Sequence, residues 1–208
     1  MVVMIVLLLS VLLAVGAART ALLNEALTGN LSDEQRALQA AETLLADAQQ
    51  SVVLHLQQGG NPRAANRLPN NLGQGFLPVS QADFTEFSDA LESAGGVNTP
   101  CSGGYCAFSP TPGTALGNWW ATPATVDTMW PLGAAFGAYT GAVAAGGNAA
   151  LANARFWVEV YPYSRTLNTQ ATQPSDTHPF AYQITVIARG LKAGTQVVLR
   201  SVIVRSPT

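Results

Sequence analysis

Met1-Val-Val-Met-Ile-Val-Leu-Leu-Leu-Ser-Val-Leu-Leu-Ala-Val-Gly-Ala-Ala18 opens the chain without a single charged residue. The first charge is Arg19, after which Thr20-Ala-Leu-Leu23 resumes the apolar trend. At about 1.5 Å per residue, a helix of roughly 18–23 such residues matches the ~30 Å hydrocarbon core of a bilayer. Val6, Leu9, Leu13 and Val15 represent an apolar surface that surrounds the helix on every side. This marks a lipid-embedded or bundle-forming element and not an amphipathic one. A cleavable secretory signal would open with a basic segment and carry a shorter apolar run before a small-x-small site. Here the basic segment is missing and the apolar run is long, although Ala14-Val-Gly-Ala-Ala18 could pass as a cleavage site. A chain that begins this abruptly inside an apolar helix reads as processed or truncated.

The helical pattern continues beyond the apolar run. Ser32-Asp-Glu-Gln35 has the spacing of a capping box, with acids early in the following turn. Leu38, Ala41, Leu45, Ala48 and Val52 recur every three or four residues. They predict the apolar face of an amphipathic helix over 31–57. Arg36, Gln39, Glu42, Gln50 and Gln57 fall largely on the other side, and Gln58-Gly-Gly-Asn-Pro62 ends the helix. The expectation is a helix of more than fifty residues with a soft point at Gly29-Asn30. It would divide a hydrophobic membrane or filament segment, 1–30, from a globular domain, 31–208.

The 208 residues suffice for one domain plus an anchor. Charged residues make up 11%, less than half of the usual ~25%. A net charge of −2 points to no polyanionic partner. After Asp176, however, the charges are all basic: Arg189, Lys192, Arg200 and Arg205. These read as a solvated strand face, with a nucleic-acid patch as the alternative. In Cys101-Ser-Gly-Gly-Tyr-Cys106, two glycines let the loop bend far enough to join the sulfurs. In an exported protein the expected state is a small structural disulfide rather than free thiols. Two thiols cannot complete a zinc site, and His55 and His178 lie far away in sequence.

The inventory offers no nucleophile–base pair, no phosphate loop behind Gly59-Gly60 or Gly146-Gly147, and no calcium loop. The reading is non-enzymatic, with no cofactor or metal.

Residues 59–150 are loop-rich and punctuated by Pro62, Pro69, Pro78, Pro100, Pro110, Pro112, Pro123 and Pro131. One helix is expected over Ser80–Ser93, with Phe84, Phe87 and Leu91 on one face. Trp119, Trp120 and Trp130, with Met129, form either a local mini-core or an exposed patch for a partner. Residues 133–154 are Ala/Gly-rich and read as a loose helix or a close-packed loop. A β-sheet is expected over 154–206. Its strands are Arg155–Tyr161, Tyr182–Arg189 and Gln196–Arg205, the last two joined by a turn at Gly190-Leu-Lys-Ala-Gly194. The helix face at 38–52 needs a partner, and an antiparallel sheet of at least three strands supplies one. The fold class is α+β.

That arrangement resembles a type IV pilin. More narrowly, Ala18-Arg-Thr-Ala-Leu-Leu-Asn-Glu-Ala-Leu-Thr-Gly-Asn30 and Gln39-Ala-Ala-Glu42 resemble the N-terminal motif of PilX-type minor pilins. A second likeness runs through Ala154-Arg-Phe-Trp-Val-Glu-Val160, Tyr182-Gln-Ile-Thr-Val-Ile-Ala-Arg-Gly190 and Thr195-Gln-Val-Val-Leu-Arg-Ser201. The likeness covers about residues 1–58 and 150–205; the middle carries no likeness that can be named. It implies a bacterial inner-membrane protein with a periplasmic C-terminal domain that primes or caps a type IV pilus. Its expected partners are other minor pilins and the major pilin.

Two departures stand out. The basic leader that prepilin peptidase removes is not seen. The acid that major pilins carry near the fifth mature position has no counterpart in the apolar run, where Glu25 is the first acid. A type II secretion pseudopilin, a tip adhesin or DNA-binding subunit, and an unrelated single-span periplasmic protein are the alternatives.

Overall fold

The computed structural model describes residues 2–57, 77–78, 81–95, 101–107, 119–143, 149–162 and 180–204. Helix α1 runs unbroken over Val2–Gln57. At about 1.5 Å per residue its 56 residues span roughly 84 Å. Hydroxyl groups in its apolar half turn back onto the helix. Ser10 donates to the Leu7 carbonyl, Thr20 to that of Gly16 and Thr28 to that of Asn24. No hydroxyl among these three needs water, which suits an apolar surrounding.

The helix of more than fifty residues is continuous through Gly29-Asn30, so Ser32–Gln35 lies mid-helix and is no capping box. At this soft point Asp33 is buried against the turn of a distant hairpin.

The sheet has five strands in the order β1-β2-β3-β4-β5: Cys101–Ser102, Tyr105–Ala107, Ala154–Pro162, Phe180–Arg189 and Gln196–Val204. β3, β4 and β5 are antiparallel neighbours, with Val158 opposite Ile184 and Ile184 opposite Ser201. The two short strands extend the expected three. β1 and β2 form a tight hairpin through Gly103 and Gly104, both at positive φ (55° and 83°). This is the backbone that a two-residue hairpin turn demands and glycine supplies without strain. β2 then pairs parallel to β3, Tyr105 opposite Val158, so the sheet is mostly and not wholly antiparallel.

α1 lies across one face of the sheet. Ala37, Ala40, Ala41, Leu44, Ala48, Val52 and Leu56 are buried there against Phe156, Val158, Val160, Tyr182, Ile184, Val186 and Ala188. The alanines allow the helix to sit close to the strands. Helix α2, Gln81–Gly95, adds Phe84, Phe87 and Leu91 to the same core, with the Phe84 ring stacked on Phe180 at 5.2 Å.

The opposite face is also covered. Trp157, Ile187 and half-buried Val198 pack under Trp119, Val126, Met129 and the Cys101–Cys106 disulfide. The covering segment comprises a 3-10 turn, Trp119–Ala121, helix α3, Pro123–Met129, and a second 3-10 turn, Trp130–Leu132. Burial on both faces is why Arg155–Tyr161 reads as a nearly continuous apolar run and not a strict alternation.

The Ala/Gly-rich stretch divides into a looped segment at 133–143 and a four-residue helix α4, Ala149–Ala152. The loop is pinned by Asp47, which accepts from the Gly137 amide (2.8 Å) and from the Thr140 hydroxyl. Expected features that fall on 58–76, 96–100 and 163–179 lie outside the described residues.

Candidate assembly surfaces

The exposed half of α1 is the largest unsatisfied surface among the described residues. All described positions from Val2 to Thr28 are exposed, including Val6, Leu9, Leu13 and Val15. The most apolar 18-residue window has a mean hydropathy of 2.6 and no buried share. Exposed Leu22, Leu23, Leu27 and Leu31 carry the apolar character past Arg19. A surface this large and apolar is stable only in lipid or against other helices.

The docked half differs in phase from the sequence reading. Ala41, Ala48 and Val52 are fully buried and Leu45 packs half-buried at the edge, but Leu38 is 39% exposed. Leu44, which the sequence reading left out, is fully buried. The correction has a simple cause. Small Ala37, Ala40 and Ala41 turn toward the sheet, where close approach matters more than side-chain bulk, and Leu38 is carried round to the flank.

The three tryptophans do not act as one surface. Trp119 is buried with its ring against Trp157 at 4.8 Å, so it belongs to the second core. Its Nε1–H donates to Glu159 Oε1 at 2.9 Å. Gln183 Nε2 donates to Glu159 Oε2 at 2.5 Å. Burial nevertheless pushes the Glu159 carboxyl above its ordinary range, against the pull of those donors and of the Arg200 guanidinium. Trp120 and Trp130 are half-buried, and each supports a cation. Arg200 lies over Trp120 at 3.8 Å, while Arg189 lies over Trp130 at 4.1 Å.

The basic residues are likewise dispersed. Arg189 also pairs with Asp127, and Lys192 Nζ donates to Asn30 Oδ1 at 2.9 Å on the helix. Arg205 lies outside the described residues. Arg189, Lys192 and Arg200 are each engaged within the chain.

Sequence reasoning missed three buried acids: Asp33, Asp47 and Glu159. For two of them a signal existed. Asp33 and Asp47 sit at three- and four-residue spacings in the series 33, 37, 40, 44, 47 and 51, and a charge on a docking face implies a dedicated partner. His55, also on that face, is enclosed with Ser51 and Tyr105. The Tyr105 hydroxyl lies 2.9 Å from Ser51 Oγ and 3.3 Å from His55 Nδ1. Burial raises the Tyr105 hydroxyl pKa above its ordinary range, so this hydroxyl keeps its proton and acts as polar packing. Among the described residues no group of three His, Cys, Asp or Glu side chains is arranged to hold a metal.

A long apolar helix whose second half docks on one face of a mostly antiparallel sheet defines a pilin-like α+β protein. Within that class, the model of the type IV pilus assembly protein PilX C-terminal family matches residues 88–205, more than half of the chain. The protein belongs to this family and is a type IV pilus assembly protein. Its apolar helix fits a membrane-anchored pilus protein. No curated protein and no solved structure matches the chain significantly.

Proposed function

We propose that the chain is a minor pilin that primes or caps type IV pilus assembly, acting through helix packing and subunit interfaces. The observation that carries this reading is the exposed apolar half of α1, continuous with a half that is docked on the sheet. Residues 1–30 would reside in the inner membrane and then transfer into the filament. Residues 31–208 would form the periplasmic domain and meet other minor pilins and the major pilin.

The test is deletion of the gene combined with affinity purification of tagged protein from detergent-solubilised membranes and sheared surface fibres. The expected result is loss of surface pili on deletion. Other minor pilins and traces of major pilin should co-purify, with this chain far below the major pilin in abundance. Recovery from the inner membrane alone, with no pilin partner and normal piliation on deletion, would remove the proposal.

A further inference from the structure

We propose that Asp33 and the turn between β4 and β5 form a latch that fixes where the apolar half of α1 leaves the folded domain. The helix would then present itself to the filament as one rod. This positioning role rests on the pilus-assembly reading; the latch itself does not.

Asp33 is the first buried residue along α1, 3% exposed, and the next is Ala37. Its Oδ1 accepts the Leu191 amide at 2.9 Å and its Oδ2 accepts the Lys192 amide at 3.0 Å. Two successive amides of the turn thus converge on one carboxylate, 158 and 159 residues away in sequence. Those donors, with a hydrogen bond from Thr195 and the attraction of Lys192, hold the Asp33 carboxyl below its ordinary range. Lys192 then reaches back along the helix to Asn30.

The turn is shaped for this approach. A Cβ on Gly190 would run into the Asp33 carboxylate and lie 2.6 Å from Thr195 Cβ. The Gly190 amide donates to the Thr195 carbonyl at 2.9 Å, closing the turn from within.

The placement has a reason in helix physics. Gly29-Asn30-Leu31-Ser32 contains three weak helix formers in four residues, and glycine alone costs about 1 kcal/mol relative to alanine. Without a tertiary contact such a stretch frays or bends. The latch lies at this weak point, and α1 remains helical through it. Opening it would move the first docked residue from Asp33 to Ala37, about 6 Å along the axis. The weak stretch would then become a hinge between membrane and domain.

Hydrogen exchange of the full chain in detergent micelles tests the latch, comparing wild type, Asp33→Ala and Lys192→Ala. In Asp33→Ala, amides of residues 28–36 and of Leu191 and Lys192 should exchange about ten-fold faster or more, equivalent to 1.4 kcal/mol of local opening. Amides of residues 40–56 and of β3 and β4 should keep wild-type protection. Cross-linking Asn30→Cys to Lys192→Cys in the Asp33→Ala background with a bis-maleimide should restore slow exchange; the native cysteines are already paired. Unchanged exchange, or a uniform rise across the domain, would overturn the latch.

The positioning role is tested by complementing a deletion strain. Asp33→Ala should accumulate in the membrane at wild-type level yet assemble several-fold fewer pili. Normal piliation by a chain with a demonstrably open latch would overturn it. Normal piliation in the deletion strain would instead overturn the pilus reading beneath it.

Discussion

Glu159 and Asp33 are both buried carboxylates, yet they act on stability in opposite directions. Asp33 meets backbone N–H groups, which stabilise its anion and lower its pKa from the ordinary 3.8. Its contribution is complete above the unfolded value and is lost as pH falls through the folded one. Glu159 is dominated by burial, which favours the protonated form and raises its pKa from the ordinary 4.5. The folded domain therefore holds that proton longer than the unfolded chain. The Glu159 contribution to stability is greatest below 4.5, declines as pH rises to the folded value, and is level above it. Glu159→Gln should abolish this decline. Its amide oxygen still accepts from Trp119, and Gln183 can turn its own oxygen toward the new NH2 group. Denaturant titrations at several pH values between 4 and 8 measure the effect. If the variant kept the wild-type slope, the titration would belong to another group.

At the scale of elements, α1 separates side chains that look equivalent in sequence. Leu44 is fully buried between helix and sheet, whereas Leu38 lies on the flank. Leu44→Ala should cost about 2–5 kcal/mol, the range for deleting a buried leucine side chain. Leu38→Ala should stay within about 0.5 kcal/mol, as at an exposed position. Equal losses in chemical denaturation would mean that the helix docks in a different rotation.

The same contrast explains what was legible. β3, β4, β5 and α2 were readable because runs of Phe, Val and Ile, or Phe84, Phe87 and Leu91, carry their own periodicity. The rotation of α1 was only partly so, because bulk selects Leu38 while geometry adds the alanines of 37 and 40 to Ala41. β1 and β2, of two and three residues, are too short to show a period. The contact between Asp33 and Leu191 depends on tertiary closure that no local pattern records. Of the candidate surfaces, the apolar helix was plain, whereas the tryptophans and arginines divided between core and flank only once the sheet brought them together.

At the scale of the whole molecule, the folded domain and the exposed helix are joined, among the described residues, at one narrow zone. Residues 2–28 of α1 are exposed, and the first described contacts with the domain are those of Gly29, Asn30 and Asp33 with the β4–β5 turn. Removing residues 1–28 therefore removes apolar surface without removing core. The remaining chain, residues 29–208, should be a soluble monomer with an unfolding midpoint near that of the full chain in detergent. The full chain should aggregate when detergent is withdrawn, because its exposed helix exceeds what a soluble monomer sustains. A cut at residue 42 is a different operation. It deletes Asp33, Ala37, Ala40 and Ala41, which releases the β4–β5 turn and uncovers part of the sheet. That product should fail to fold cooperatively. Size-exclusion chromatography and thermal unfolding of the two truncations distinguish the cases. Aggregation of 29–208 would show that the apolar half supports the domain directly. Cooperative folding of 42–208 would show that the first docked turns of α1, and the latch among them, position the helix without stabilising the sheet.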